Sequence, residues 1–369
     1  MKLVKKISFR QIFIMILVIG LVLFGALMVY SASYYSAEKN FNNKYYFLIK
    51  QLVGAVIGTV GMIFFTFFNY EKLKKLKWTS VIISVILLVL VFVPGIGIEN
   101  YGARRWIGFG GFSIQPSEIA KFAFVLFASA HLSEKYDSVK KFKTLLPVLL
   151  VGCVFCFLII LEPNMSITIC MGLIMLTMLF IGGIRAKHFS YLCVPASLAV
   201  PALIALEPYR IKRLMAFVNP WNSPQGEGFQ LIQSLYALGS GGLFGLGLFN
   251  SRQKHLFLPF AESDFIFSII GEELGFVGAT LVILCFAILV IMLIRIGLNA
   301  KDRFGCLLSC GVASVIAIQT IINIAVVTGS IPPTGLPLPF ISAGSTSLLV
   351  FMSAIGVVLN VDRQSRKSL

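Results

Sequence analysis

Apolar residues in this chain do not alternate with polar ones. They run together, and stretches of about twenty recur along its whole length. Each is long enough to cross the ~30 Å hydrocarbon core of a bilayer as an α-helix. In lipid a single segment satisfies its own backbone polar groups only as a helix. The pattern predicts ten spans, at residues 11–33, 46–69, 78–95, 117–133, 144–161, 165–183, 189–206, 264–294, 304–328 and 340–361. The expected fold class is an all-α integral membrane protein, one polytopic membrane domain over residues 1–369, with a single long interruption at residues 207–263 between spans seven and eight.

Composition agrees with that reading. Hydrophobic residues make up 58% of the chain and charged residues 12%, with 33 Phe and a mean hydropathy of +0.92, far from a soluble domain of this length. The basic start followed by an apolar stretch resembles a signal peptide, but Gln11 to Ser33 is too long for one and Tyr30-Ser31-Ala32-Ser33 is a poor cleavage site, so the stretch reads as the first helix. The seven cysteines all fall inside predicted spans. Cys153 and Cys156, at CxxC spacing, read as buried small residues rather than a redox or metal pair.

Basic residues collect in short cytoplasmic loops, and their positions give the orientation. Lys2, Lys5, Lys6 and Arg10 precede the first span, Lys72, Lys74, Lys75 and Lys77 follow the second, and Lys135, Lys140, Lys141 and Lys143 follow the fourth. Arg185 and Lys187, then Arg295, Lys301 and Arg303, then Arg363, Arg366 and Lys367 continue the alternation. Twenty of the 31 Lys and Arg thus fall on one side, both chain ends are expected in the cytoplasm, and the net charge of +16 needs no nucleic-acid partner. The long segment 207–263 is then extracytoplasmic, and loops of that length are usually functional or independently folded.

Five cations in that segment, Arg210, Lys212, Arg213, Arg252 and Lys254, run against the charge bias. Either they snorkel to lipid headgroups, or they receive an anionic substrate such as a lipid-linked phosphate or pyrophosphate. Phe229 to Leu238 has the pattern of an interfacial helix, with Leu231, Leu235 and Leu238 on one face and Gln230 and Gln233 elsewhere. The glycine run Gly239 to Gly247 lacks the ending of a phosphate-binding loop and reads as a tight re-entrant turn.

Asp264 is the main candidate for chemistry. It stands at the mouth of span eight in Leu258-Pro259-Phe260-Ala261-Glu262-Ser263-Asp264-Phe265-Ile266-Phe267, where an ionised carboxylate costs roughly 3 kcal/mol or more unless it faces water or a partner. Glu272 and Glu273 lie deeper in the same span, and one of them is expected to face the bundle interior. Between spans three and four, Arg104-Arg105-Trp106 precedes Gln115-Pro116-Ser117-Glu118, with Lys121 at i+3 from Glu118. Glu118 and Lys121 form either an internal ion pair or a ligand site, and Trp106 either anchors the loop or stacks on a sugar. Glu162-Pro163-Asn164, Gln319 and Asn323 add polar atoms at membrane depth.

In this order the motifs resemble the SEDS family of shape, elongation, division and sporulation proteins, which includes FtsW, RodA and SpoVE. The resemblance covers essentially the whole chain. It is carried by Gly102-Ala103-Arg104-Arg105-Trp106-Ile107, Gln115-Pro116-Ser117-Glu118-Ile119-Ala120-Lys121, the stretch from Asp264-Phe265-Ile266-Phe267 to Gly271-Glu272-Glu273-Leu274-Gly275, and Asn323 through Thr334-Gly335-Leu336-Pro337-Leu338-Pro339-Phe340. Gly247 to Lys254 and Ile269 to Leu274 are closer to the FtsW and SpoVE branch than to the RodA branch. Departures from the family pattern are Phe260 for a usual Glu, Glu262-Ser263 for His-Thr, Asn164 for a frequent Asp, and Ala343-Gly344-Ser345-Thr346 in place of an aromatic followed by Gly-Gly-Ser.

The resemblance implies a multi-pass protein of the bacterial cytoplasmic membrane, a peptidoglycan glycosyltransferase that polymerises lipid II at the outer face in division or sporulation. Its expected partners are lipid II, a cognate class B penicillin-binding protein, and the division or sporulation machinery. Asp264 is then the expected catalytic base, and Arg104, Trp106, Glu118, Lys121, Arg210, Arg213, Gln230 and Lys254 are the candidate substrate-binding residues. No cofactor is specified; a divalent cation, Mg or Mn, is the one candidate, with Asp264 and Glu262 as ligands. The competing readings are a lipid II flippase and a non-enzymatic scaffold for a transpeptidase.

Overall fold

A computed structural model describes residues 8–100, 103–109, 112–205 and 207–366. Lys2, Lys5, Lys6, Gly102 and Lys367 of the sequence argument lie outside the described residues. The chain folds as a helical bundle. Its helices are α1 (Phe9–Phe41), α2 (Tyr46–Phe67), α3 (Glu71–Lys75), α4 (Lys77–Leu90), α5 (Pro116–Glu134), α6 (Phe142–Leu161), α7 (Met165–Gly182), α8 (Ala186–Ala205), α9 (Pro208–Val218), α10 (Phe229–Gly241), α11 (Ile266–Leu298), α12 (Arg303–Val327) and α13 (Ser345–Ser365).

Seven helices, α1, α2, α6, α7, α11, α12 and α13, are long and apolar enough to cross a membrane. The other three expected spans coincide with α4, which is apolar but only 14 residues long, with α5, made more polar by Glu118 and Lys121, and with α8, which carries two internal prolines. Local chemistry sets several ends. Ser8 and Gln11 form a reciprocal capping box on α1, Asp302 caps α12 through the Gly305 N–H at 2.9 Å, and Pro116 opens α5 at a first-turn position. The core runs through the bundle, with Ile14, Val18, Phe124, Phe127, Ile174, Phe351 and Ile355 fully buried.

Both chain ends meet at one end of this bundle. Arg10 pairs with Asp362, which also receives Arg366 at 3.3 Å. Lys301 pairs with Glu71 at 2.6 Å, Lys77 with Glu134, and the Tyr70 hydroxyl donates to Asp302 at 2.7 Å.

The structure corrects the sequence reading in four places. The fold is not purely helical, because a three-stranded antiparallel sheet links α4 to α5: β1 (Gly97–Asn100), β2 (Ala103–Phe109) and β3 (Phe112–Ile114). Its strands are short and rich in glycine, so no run of apolar residues announces them. Residues 207–263 contain the expected helix, as α10, and a second one, α9, that the sequence reading did not anticipate. The tenth helix starts at Ser345 rather than at residue 340, since Phe340 takes a left-handed φ of 63° and Gly344 is also non-helical. Finally, α11 is broken at Gly275, whose φ of 68° and ψ of −167° lie outside helical geometry.

That break explains the glycine run. Gly242 and Leu243 carbonyls accept from the Phe276 and Val277 N–H groups at 2.9 and 3.1 Å, while the Leu246 and Gly247 N–H groups donate to the Glu272 and Glu273 carbonyls at 2.9 and 3.0 Å. The run therefore serves as a splint for backbone groups that the broken helix releases. A Cβ on Gly275 would sit 2.3 Å from the Gly245 nitrogen, so only glycine admits this approach.

Candidate functional site

Asp264 sits immediately before α11, and the backbone around it is clamped by polar side chains from α12 and from the segment leading to α13. Asn323 donates one amide to the Asp264 carbonyl at 2.9 Å and to the Leu336 carbonyl at 2.7 Å. Ser342 donates to the Ser263 carbonyl at 2.5 Å and receives the Leu338 N–H at 2.8 Å, and the Ala343 N–H donates to the Glu262 carbonyl at 2.9 Å. Gly335, at φ 74°, passes so close that a Cβ there would lie 3.1 Å from Asp264 Oδ2. The proline-rich segment thus forms one wall against the carboxylate.

The carboxylate itself is half-buried. Burial pushes it up to about 6, opposed by the Ser263 hydroxyl and by the charges of Arg105 and Arg213. Glu262 is also held above its ordinary range, first by burial and in part by the negative charge of Asp264, although a backbone hydrogen bond pulls it down. Two acids and two guanidiniums therefore share one electrostatic neighbourhood. The described residues contain no group of three or more His, Cys, Asp or Glu able to hold a metal.

Arg105 enters from the sheet. The register of β2 on β1 shifts here, Trp106 pairing with Ile98 and Arg104 with Glu99, so that Arg105 is the extra, bulged residue. Arg104 pairs with Glu99 at 3.1 Å in the open, whereas Arg105 donates to the Glu162 carbonyl at 3.3 Å and to the Pro163 carbonyl at 2.6 Å. It joins the end of α6 to the neighbourhood of Asp264. The side chain of Glu162 is fully buried, neither of its carboxyl oxygens has a hydrogen-bond partner, and burial pushes it up to about 8 against the pull of Arg105.

The remaining candidates fall into separate groups. Arg210 and Arg213 share a face of α9; Arg210 is buried, and Arg213 reaches Glu227 at 3.6 Å while its charge also acts on Asp264. Gln230 is half-buried on α10, a helix docked by Ser234, which bonds Ser268 at 2.8 Å and the Val327 carbonyl at 2.7 Å.

Glu118 and Lys121 are an internal ion pair at 2.8 Å, both side chains fully buried. Lys121 also donates to Gln319, and Gln319 donates to the Pro337 carbonyl at 2.9 Å. The pair therefore supports the same segment that walls Asp264. Lys254 is likewise committed, at 3.2 Å from Glu273 with 6% of its side chain exposed. Glu272 and Glu273 both turn inward, where the sequence reading expected one. Arg105 and the isolated Glu162 are the residues that sequence reasoning passed over as site members; a bulge in the strand pairing sets the first apart, and burial alone distinguishes the second.

Comparison with known proteins accounts for this arrangement. Residues 11–367 match the family model for FtsW, RodA and SpoVE, described as cell cycle protein. Stage V sporulation protein E of Bacillus subtilis is 44% identical over 359 residues, 96% of this chain and 98% of that protein. A probable peptidoglycan glycosyltransferase FtsW of Trichlorobacter lovleyi is 40% identical over 349 residues, 94% and 92% of the two chains. A structure described as "Structural coordination of polymerization and crosslinking by a peptidoglycan synthase complex" superposes with a TM-score of 0.79 at 27% identity, covering 95% of this chain and 97% of that one. The crystal structure of Thermus thermophilus rod shape determining protein RodA has the same fold, with a TM-score of 0.69 at 24% identity over 95% and 96% of the chains. With a family match over nearly its full length, and a half-buried acid under the charges of two guanidiniums just before a broken helix, this membrane protein belongs to the FtsW, RodA and SpoVE family.

Proposed function

We propose that the chain is a peptidoglycan glycosyltransferase that polymerises lipid II into glycan strands at the outer face of the bacterial cytoplasmic membrane, during division or sporulation. The observation that carries this reading is Asp264, a carboxylate raised into the range of a working base and flanked by Arg105 and Arg213. The basic end of the bundle, where Arg10 meets Asp362, is the cytoplasmic one. Ten crossings then place the whole of 207–263 and the Asp264 neighbourhood outside.

The reaction joins two lipid-linked disaccharides. Asp264 takes the proton from the 4-hydroxyl of the acceptor sugar as that oxygen attacks the anomeric carbon of the donor. The new carbon–oxygen bond forms as the bond to undecaprenyl pyrophosphate breaks, and the α-linked donor becomes a β-linked product. Negative charge grows on the departing pyrophosphate. Arg213 and Arg105 supply fixed positive charge where it develops. A divalent cation fits this chemistry, since Mg sites commonly use one or two carboxylates and complete their shell with substrate phosphates; Asp264 and Glu262 would hold it, and it would neutralise pyrophosphate charge.

Glu118, Lys121 and Lys254 act on this reading as supports, because each is engaged in a buried ion pair. A flippase would be expected to carry ionisable groups able to meet cargo through mid-membrane in several helices, and the buried pairs here are closed on one another. The partner is a class B penicillin-binding protein; the structural neighbour described as a peptidoglycan synthase complex supports that assignment. The test is lipid II polymerisation by the purified protein in liposomes, with and without the transpeptidase, comparing wild type with Asp264→Asn. Strands from wild type and none from the variant support the proposal. Absence of strands from folded wild type under every partner and cation condition overturns it in favour of a flippase or scaffold.

A further inference from the structure

A lateral groove of about 500 Å³ opens between α4 and α6, well away from the Asp264 neighbourhood. Trp78, Val81, Lys143, Pro147, Val151 and Phe155 line it. Its walls are apolar except at one end, and that end is the basic end of the bundle. Lys143 and Trp78 stand there, beside the Lys77–Glu134 ion pair, with Lys140 and Lys141 exposed just before α6. Among the described residues, Lys140, Lys141 and Lys143 have no carboxylate within ion-pair distance, whereas Lys77 is neutralised by Glu134. Three uncompensated cations thus border a groove whose interior carries almost no polar surface.

The dimensions match one leaflet. From Lys143 to Phe155 the groove follows twelve residues of α6, about 18 Å at the helical rise, slightly more than half of the ~30 Å hydrocarbon core. Pro147 has no N–H to return to the Lys143 carbonyl, so the first turn of α6 lacks one ladder bond at this end of the groove. Trp78 stacks edge-on against Phe127 with ring centroids 4.7 Å apart and stays half exposed, as an anchor at the headgroup level does.

We infer that this groove is a binding site for an anionic phospholipid of the inner leaflet, one acyl chain lying along Pro147, Val151 and Phe155 and the phosphate headgroup meeting Lys143. Assignment to the inner leaflet rests on the basic end being cytoplasmic, but the headgroup preference does not, nor does it depend on polymerase activity. A zwitterionic lipid fills the same apolar walls without satisfying the uncompensated cations, so the site is defined by headgroup charge.

Trp78 reports on occupancy directly. In a Trp106→Phe, Trp221→Phe background reconstituted in nanodiscs, Trp78 is the single tryptophan, and lipids brominated on the acyl chain quench it on contact. Brominated phosphatidylglycerol is expected to reach half-quenching at a mole fraction about five-fold lower than brominated phosphatidylcholine, and Lys143→Gln to bring the two curves together. Superimposed curves in the Lys143 protein, or a preference that survives Lys143→Gln, overturn the inference. If the background variant does not fold, native mass spectrometry of the chain with all three tryptophans answers the same question, comparing retained phosphatidylglycerol with phosphatidylcholine before and after Lys143→Gln.

Discussion

Two groups of acids lie toward the Asp264 end of the bundle, and the protein treats them in opposite ways. Glu272 accepts from the Ser251 hydroxyl at 2.5 Å, the Arg252 N–H at 2.8 Å and the Gln253 N–H at 3.4 Å. One oxygen of Glu273 receives Ser31 at 2.7 Å, the Ser251 N–H at 3.3 Å and the Lys254 ammonium at 3.2 Å. These acids are buried, Glu273 has an ammonium partner while its second oxygen has none, and together they tie residues 251–254 to the broken helix. Asp264 and Glu162 are also withdrawn from water, yet their nearest cations, Arg105 and Arg213, are shared, partly exposed and directed at backbone carbonyls or at Glu227. A buried acid that accepts several hydrogen bonds from distant segments holds the chain together, whereas one with few or none is left able to change its protonation state.

The sharpest way to break this contrast is to neutralise one acid of each group. Asp264→Asn keeps shape and removes the base, so glycan output should fall by about 10²- to 10⁴-fold with an unchanged elution profile and melting temperature or a slightly raised one. Unaltered strand synthesis would move the chemistry elsewhere. In the other group, Lys254→Met strands a buried Glu273 carboxylate, and loss of one partner of a buried pair costs roughly 3–5 kcal/mol. Thermal unfolding in detergent should show that loss directly. A variant as stable as wild type but inactive would mean that Lys254 meets substrate, and the division between holding and working acids would fail.

How far the sequence could anticipate this contrast depends on the range of the interactions. Apolar runs locate a helix for each of the ten expected spans because burial in lipid is a property of the run itself. The break at Gly275 was not legible in the same way: it exists because the glycine run 30 residues earlier in the chain supplies the missing backbone partners. Asp264 stood out from sequence because a carboxylate at a helix mouth is costly wherever its partners lie. The roles of Lys254 and Lys121 could not be separated from a substrate role, since the choice depends on Glu273, Gln319 and Ser31 arriving from other helices. Arg105 was hidden by its neighbours, because what sets it apart from Arg104 is a bulge in the pairing of β2 with β1.

Acidity offers a finer test of the working group. Because Asp264 is pushed up to about 6, the ionised base should halve near pH 6 and fall about ten-fold for each unit below it, placing the acid limb of the rate profile near 6 rather than near 4. The sign for stability is the reverse. A carboxyl raised on folding is more stable protonated, so its contribution is present at low pH and is lost as pH rises through about 6. Asp264→Asn should therefore flatten the dependence of melting temperature on pH between 4 and 6, and an acid limb near 4 in the rate profile would contradict the half-buried environment.

The smallest expected effect belongs to Glu162, and it decides whether that residue stands with Asp264 or apart from it. Held up to about 8 by burial, its carboxyl is mostly neutral at pH 7, and a carboxamide of the same shape presents the same charge. Glu162→Gln should leave polymerisation at pH 7 within about three-fold of wild type. Between its ordinary value of 4.5 and about 8 the folded protein keeps a proton that the unfolded chain gives up, so wild type should lose stability as pH rises to about 8 and level off above it, while the variant does not. Melting temperatures of both proteins from pH 4.5 to 9 check this. A large loss of activity in Glu162→Gln at pH 7, with folding intact, would mean that the carboxyl exchanges a proton during turnover. Asp264 would then work as one of a pair, and the isolated, unpartnered oxygens of Glu162 would be the second half of the site.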